Sequence, residues 1–353
     1  MRIVVHGQQA FGKAVLEALL KRGDNVIAVY VAPEKPGAKP DPLKEAAQAA
    51  GLPVYQPASY RKPEVVEEFK ALKPDLQVMA FVTLFVPEEF LNVPTHGSIQ
   101  YHPSLLPAYR GASAINWPII LGEKETGLSI FWPDNGLDTG DVLLQKKTPL
   151  SATDTMGDVY FKRLFPMGVD AMLESVDLVK AGKAPRIKQD ESKATYEGRA
   201  TADIARIDWG KPWEQVDRLI RGCNPAPGAW TTYDGKQVKV FDAKPLPAKD
   251  PKGIAGKIGE IVAVEADGFT VVCADGRFKI EQAPQGTADV RVHKEGFVRP
   301  GLGQPVKVPQ SDVKLAMKAS AQLVVLVKFD TKMRPAGYLV HIAPEEGAAV
   351  GRW

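Results

Sequence analysis

The sequence predicts an α/β protein: a doubly wound, mostly parallel sheet followed by a small antiparallel β-barrel or sandwich. Three observations predict it. The first half alternates short apolar runs with amphipathic helical stretches, the pattern of repeated β-α-β units. Gly or Pro punctuates these changes. From about residue 230 the pattern shifts to short alternating runs separated by Gly, Asp and Pro turns, which suits small antiparallel strands.

Each element follows from local chemistry. Residues 2–5 are a buried-strand run closed by Gly7. Phe11, Val15, Leu16, Leu19 and Leu20 fall on one helical face, and Gly23 stops that helix. Strands follow over 25–31 (NVIAVYV) and 75–81 (DLQVMAF), with helices over 42–51 and 63–72. Further strands are predicted over 98–101 and 127–132, and a helix beginning near Ala112. Residues 154–182 read as one long helix interrupted near Pro166. The barrel strands are predicted over 237–241, 257–264, 268–273 and 277–281, and the run RPGLGQPVKVP as a linker. These readings divide the chain into an α/β domain over 1–203, a barrel or sandwich domain over 204–310 and a tail of unassigned role over 311–353.

Bulk composition excludes several classes. Hydrophobic residues make up 44% of the 353 and charged residues 25%, as in ordinary globular proteins. A net charge of +3 gives no general reason for nucleic-acid binding. The two cysteines, Cys223 and Cys273, form no CxxC pair, which argues against a structural zinc site and for a reducing compartment. The opening apolar run breaks at His6 and Gly7, too soon for a signal sequence. No window approaches the roughly 18 apolar residues of a membrane span. The expectation is a cytoplasmic protein.

Three segments could carry chemistry. The turn HGQQAFG only loosely resembles a dinucleotide fingerprint, and reads as a tight strand-to-helix turn. The stretch 97–120 delivers His102 at the end of a strand, where ligands of such sheets bind. A lone histidine is ordinarily structural, but this position suits a proton carrier. The stretch 129–145 places Asp134, Asp138 and Asp141 between two strands, with Gly136 and Gly140. By composition this is a hairpin turn; a chemical role needs a partner, and His102 is the obvious one. One histidine beside a hairpin argues against a metal.

Together these segments resemble the folate-dependent formyltransferase family. The stretches HPSLLPAYRGASAINW (102–117) and GLDTGD (136–141) carry the likeness, with 36 residues from His102 to Asp138. YHPSLLP, RGASAINW, SIFW, ATYEG and IRGCNPAPGAW are most similar to the hydrolase domain of 10-formyltetrahydrofolate dehydrogenase, and methionyl-tRNA formyltransferase is the next relative. The resemblance implies a Rossmann-like catalytic domain, an OB-like barrel and 10-formyltetrahydrofolate as the consumed donor. It implies that His102 and Asp138 are catalytic and that no metal is needed. It implies that Leu84, Phe85 and Val86 hold the pterin through backbone groups, while Ser104, Leu105, Leu106 and Pro107 shape the other side of the folate pocket. The family usually carries asparagine where this chain has Gln100. Its amide could still donate to an oxyanion, displaced by one methylene.

Three acceptor readings follow. Water or a small amine matches the nearest likeness. The alternative is methionyl-tRNA on initiator tRNA, although the loop APEKPGAKPDPLK carries only Lys35, Lys39 and Lys44. Lys236, Lys239, Lys244, Lys249, Lys252 and Lys257 make the start of the barrel basic; such runs are commonly solvated faces. The third reading is a folate-binding regulator without turnover. The oligomeric state is not legible.

Overall fold

The computed structural model describes residues 1–233, 236–247, 256–265 and 268–281, and beyond them strands within 286–329. It divides into two compact units, Met1–Ala200 and Thr201–Trp353.

The first unit is built on seven strands: β1 (Arg2–Gly7), β2 (Asn25–Val31), β3 (Val54–Tyr55), β4 (Leu76–Ala80), β5 (Ser98–His102), β6 (Glu125–Phe131) and β7 (Val142–Pro149). Their order is β3-β2-β1-β4-β5-β6-β7. β1 to β5 run parallel, and β6 and β7 are antiparallel additions. Helices α1 (Gln9–Lys21), α2 (Pro42–Ala49) and α3 (Pro63–Ala71) are followed by the short α4 (Glu88–Leu91) and α5 (Asn116–Leu121). Then come α6 (Met156–Val159) and α7 (Phe165–Lys180). The sheet is covered on both faces. Ile3, Val5 and Ile99 face Phe11, Leu16, Leu43 and Met172. Val4, Tyr30 and Met79 face Tyr60, Phe69 and Phe90. Phe69 and Phe90 stack with centroids 4.1 Å apart. Burying one such ring contributes about 1.5–3 kcal/mol.

Two sequence expectations are corrected and a third is sharpened. The helix expected near Ala112 starts at Asn116, because Tyr109, Gly111 and Ser113 all have positive φ, which a right-handed helix cannot include. The interruption expected near Pro166 lies just before it. A π-helical turn, Tyr160–Leu164, separates α6 from α7. Pro166 then sits in the first turn of α7, where its missing N–H costs nothing. The run taken as a linker contains a strand, Gln304–Val308. Pro305 fits there because that strand lies at the edge of its sheet.

The second unit contains α8 (Trp213–Gly222) and strands β8 (Ala229–Tyr233), β9 (Lys236–Val240), β10 (Lys244–Pro247), β11 (Ile261–Glu265), β12 (Gly268–Cys273) and β13 (Gly276–Glu281). β8 pairs with β9, and an antiparallel sheet runs β10-β13-β12-β11. Five further strands between Gly286 and Phe329 form two small sheets. Closure into a barrel, and most of the tail 311–353, lie outside the described residues. Both cysteines are free and buried. Burial pushes the Cys223 thiol up to about 11. Among the described residues no helix is long and apolar enough to cross a membrane.

Candidate active site

The alternation of β5 prepares the site. Ile99 and Tyr101 point into one core, so Ser98, Gln100 and His102 occupy the opposite face. His102 is the last residue of the strand and is 5% exposed. Its Nε2 lies 2.9 Å from the carbonyl oxygen of Tyr109. A carbonyl only accepts, so the Nε2 proton is held there. Nδ1 faces Asp138 Oδ2 at 3.5 Å, in ion-pair range and longer than a formed hydrogen bond.

Asp138 is brought to His102 by the loop between β6 and β7. Its φ of 56° is left-handed, a conformation that costs a non-glycine residue about 1–3 kcal/mol and persists only where surroundings enforce it. They do so here. A Cβ at Gly140 would stand 1.7 Å from the Trp132 carbonyl oxygen, so the loop folds back against β6 only with glycine. Asp134 accepts from Gly136 N–H (2.9 Å) and the Thr139 hydroxyl (2.6 Å), closing the turn. Asp138 Oδ2 accepts the Gly111 N–H at 2.7 Å. Its Oδ1 has no hydrogen-bond partner among the described residues, which leaves one carboxylate oxygen for a substrate.

Residues 187–200 strap these two loops. Thr195 N–H donates to the Pro107 carbonyl (3.2 Å), and its Oγ1 and carbonyl accept from Tyr109 and Arg110 N–H. Trp117 Nε1–H donates to Gly198 O (2.8 Å). Arg110 forks onto Glu191 at 2.7 and 2.9 Å. The Glu191 carboxylate holds the Arg110 guanidinium above its ordinary pKa, and is itself lowered by Arg110.

The remaining expected residues fall into two groups. Leu84, Phe85 and Val86 follow β4 beside the switch point of the sheet, between β1 and β4. Val86 is buried, while Phe85 is half exposed with the Arg61 guanidinium 4.8 Å over its ring. Backbone N–H and C=O groups of 84–86 make no hydrogen bond among the described residues. Ser104, Leu105, Leu106 and Pro107 are knitted into the scaffold instead. Ser104 Oγ donates to Ala108 O (2.6 Å), and Ser129 Oγ donates to Ser104 O (2.7 Å). Leu105 lies against Gly127, and Leu106 packs on Phe131 and Val142. Leu106 and Pro107 line a cavity of about 340 Å³ with Val142, Gln145, Ile187 and Gln189, whose walls include neither His102 nor Asp138. Gln100 is half-buried, and its amide makes no hydrogen bond among the described residues. Among them, no group of three or more His, Cys, Asp or Glu side chains could hold a metal ion.

Sequence reading missed the Tyr109 carbonyl and the Gly111 N–H. Both are backbone groups, and no side-chain pattern marks them. Residues 187–191 likewise carry no periodicity that would mark them.

Comparison with known proteins then decides the family. The formyl transferase model matches residues 1–176, and the formyl transferase C-terminal domain model matches 199–294. Methionyl-tRNA formyltransferase of Marinobacter nauticus is 37% identical over 288 residues, covering 80% of this chain and 91% of that protein. The chain belongs to the formyl transferase family. Within that family it is also 44% identical over 266 residues to cytosolic 10-formyltetrahydrofolate dehydrogenase of Xenopus laevis. That match covers 72% of this chain but only 29% of the longer protein. In fold, the chain is similar to HypX from Aquifex aeolicus in complex with tetrahydrofolic acid. Its TM-score is 0.58 at 21% identity, over 79% of this chain and 43% of that one.

Proposed function

We propose that this formyltransferase-family chain takes the formyl group from 10-formyltetrahydrofolate and passes it to water or a small amine. The observation that carries the reading is the buried approach of His102 Nδ1 to Asp138 Oδ2 at 3.5 Å beyond the carboxyl end of β5. Folate-linked names among the relatives, 10-formyltetrahydrofolate dehydrogenase and a tetrahydrofolate complex, support the donor. The unpaired backbone of 84–86 suits a pterin edge, which offers alternating donors and acceptors. In this reading residues 1–203 are the catalytic domain and 204–310 a barrel domain of OB-like type.

The chemistry follows from an amide-like carbonyl. A water or amine forms a bond to the formyl carbon, the carbon–N10 bond breaks, and N10 receives a proton as tetrahydrofolate leaves. Asp138 Oδ1, the open carboxylate oxygen, accepts the proton from the nucleophile. His102 stabilises that carboxylate and relays the proton through Nδ1. Negative charge builds on the formyl oxygen. The free Gln100 amide, on the same face of β5, donates to it. His102 Nε2–H joins it once the ring leaves the Tyr109 carbonyl.

A second reading, formylation of methionyl-tRNA, is favoured by the 91% coverage of the Marinobacter enzyme. Against it, Lys44 of the short basic loop is bonded to Glu34 at 2.6 Å, and Lys239 to the Pro227 carbonyl at 2.7 Å. Phosphate binding by the remaining lysines would make affinity fall steeply with salt. The purified chain is to be given 10-formyltetrahydrofolate alone, with small primary amines, and with charged initiator tRNA. Formate or a formylated amine without tRNA is the expected product. Formyl-methionyl-tRNA alone moves the assignment to the second reading, and no product under any condition overturns both.

A further inference from the structure

We infer that Gln189 is a positioning residue for the formyl-transfer site, acting by locking the loop that carries Asp138 to the loop that carries its partners. The inference rests on the reading that His102 and Asp138 perform the chemistry. Gln189 lies outside every motif by which the sequence resembles its family.

The geometry is a complete use of one amide. Gln189 Nε2 donates to the carbonyl oxygens of Asp138 (2.8 Å) and Gly140 (2.7 Å). Its Oε1 accepts from Arg110 Nε (3.2 Å) and Nη2 (2.8 Å). Both amide protons and both lone-pair directions are thereby engaged. The reversed amide would set oxygen against two carbonyls and NH2 against a guanidinium, so the network permits one orientation only.

The two ends of this bridge are the two halves of the site. On one side is the backbone of Asp138 itself, held at a φ of 56°. On the other is Arg110, the residue between Tyr109 and Gly111. Tyr109 supplies the carbonyl that holds His102 Nε2, and Gly111 the N–H that holds Asp138 Oδ2. Gln189 therefore sets the span across which His102 and Asp138 meet, without touching either side chain's reacting atoms. Glu191 steadies the same Arg110 from the solvent side. Gln189 is half-buried and also lines the 340 Å³ cavity on its far flank. Small displacements of this span are costly to a reaction that depends on near-contact geometry.

Glu is the discriminating substitution, because Q189E keeps the shape and the contact with Arg110 but removes both donors to the loop. Q189E and R110K are to be compared with the wild-type chain in four measurements. These are thermal unfolding, tetrahydrofolate affinity, the rate of formyl release from bound 10-formyltetrahydrofolate, and the ring NMR signals of His102, assigned with H102Q. The expected result for Q189E is a rate lowered about tenfold or more, with folate affinity changed less than about threefold and the His102 signals displaced. R110K, which loses the fork on Oε1, is expected to follow in the same direction with a smaller loss. A wild-type rate with unmoved His102 signals in folded Q189E overturns the inference. So does a rate loss that only parallels loss of folded protein or of folate affinity. Should Q189E fail to fold, R110K decides by the same criteria. If the wild-type chain itself releases no formyl group, the functional reading fails. The His102 signals then still report whether Gln189 sets the span.

Discussion

Two histidines lie near the carboxyl ends of β1 and β5, two strands of one sheet with β4 between them, and their surroundings differ. His6 lies one residue before the end of β1 and His102 at the end of β5; they are 2% and 5% exposed. His6 Nδ1 accepts from the Gln77 amide at 2.8 Å, and its ring packs 4.7 Å from that of Tyr60. Gln77 is bonded in turn to Ser98 at 2.8 Å. No carboxylate faces His6 among these partners. Burial alone therefore governs it and pushes its pKa down to about 3. His102 has the same depth and strand-end position but faces Asp138. Position brings a histidine to the crevice; the carboxylate supplied by another loop is what sets the surroundings of His102 apart from those of His6.

The largest effect should come from breaking that second relation. His102→Ala and Asp138→Ala are expected to slow formyl release by about a thousandfold, the scale of a lost general acid–base group. Folate affinity should stay within a few-fold, because the pterin contacts are assigned to 84–86. Single-turnover release of formate and equilibrium tetrahydrofolate binding measure the two separately. Near wild-type turnover in either variant removes the pair from the chemistry. Loss of both readouts together would mean that the pair serves the architecture.

His6 sharpens the comparison from the other side. Its folded pKa lies below the ordinary 6.5, so the unfolded chain gains a proton that the folded chain refuses as pH falls through about 6.5. Stability is lost from there towards pH 3 and levels off below it. Over the whole window this amounts to at most about 5 kcal/mol. Between about pH 7 and pH 5 it is about 2 kcal/mol. His6→Gln removes the titration while keeping a polar partner for Gln77. Urea unfolding at the two pH values should show a smaller acid loss in H6Q than in wild type, with formyl release changed less than about twofold. An unchanged pH dependence would mean that other groups carry the acid sensitivity.

How much of this was legible depends on whether the signal lay in side chains or backbone. The sequence marks β2 to the residue, 25–31, because the eight apolar-rich residues between Asp24 and Pro33 leave little choice. The helix after Arg110 was placed four residues early, because positive φ at a tyrosine and a serine leaves no mark in composition. β10 (KPLP) was missed because two prolines argue against a strand, and an edge position is what tolerates them. α8 carried a readable signal, Val216 and Ile220 one turn apart, and was passed over. At the site, three aspartates were equal by composition. The structure separates them: Asp134 closes the turn on itself, while Asp138 reaches His102.

The smallest expected effect concerns Gln100, at the position where the family resemblance implies an asparagine. It shares a face of β5 with His102 and lies opposite Phe131 of β6 and Met79 of β4. Its amide is uncommitted, so the extra methylene can be absorbed by rotating a side chain that no other bond restrains. Gln100→Asn would shorten the reach by one carbon–carbon bond while keeping the donor. The rate of formyl release should change by about three- to tenfold, and folate affinity less, because a donor to a developing oxyanion acts in the transition state more than in the bound ground state. Rate and affinity measured side by side decide it. A changed affinity with an unchanged rate would place the amide on the folate, away from the formyl oxygen.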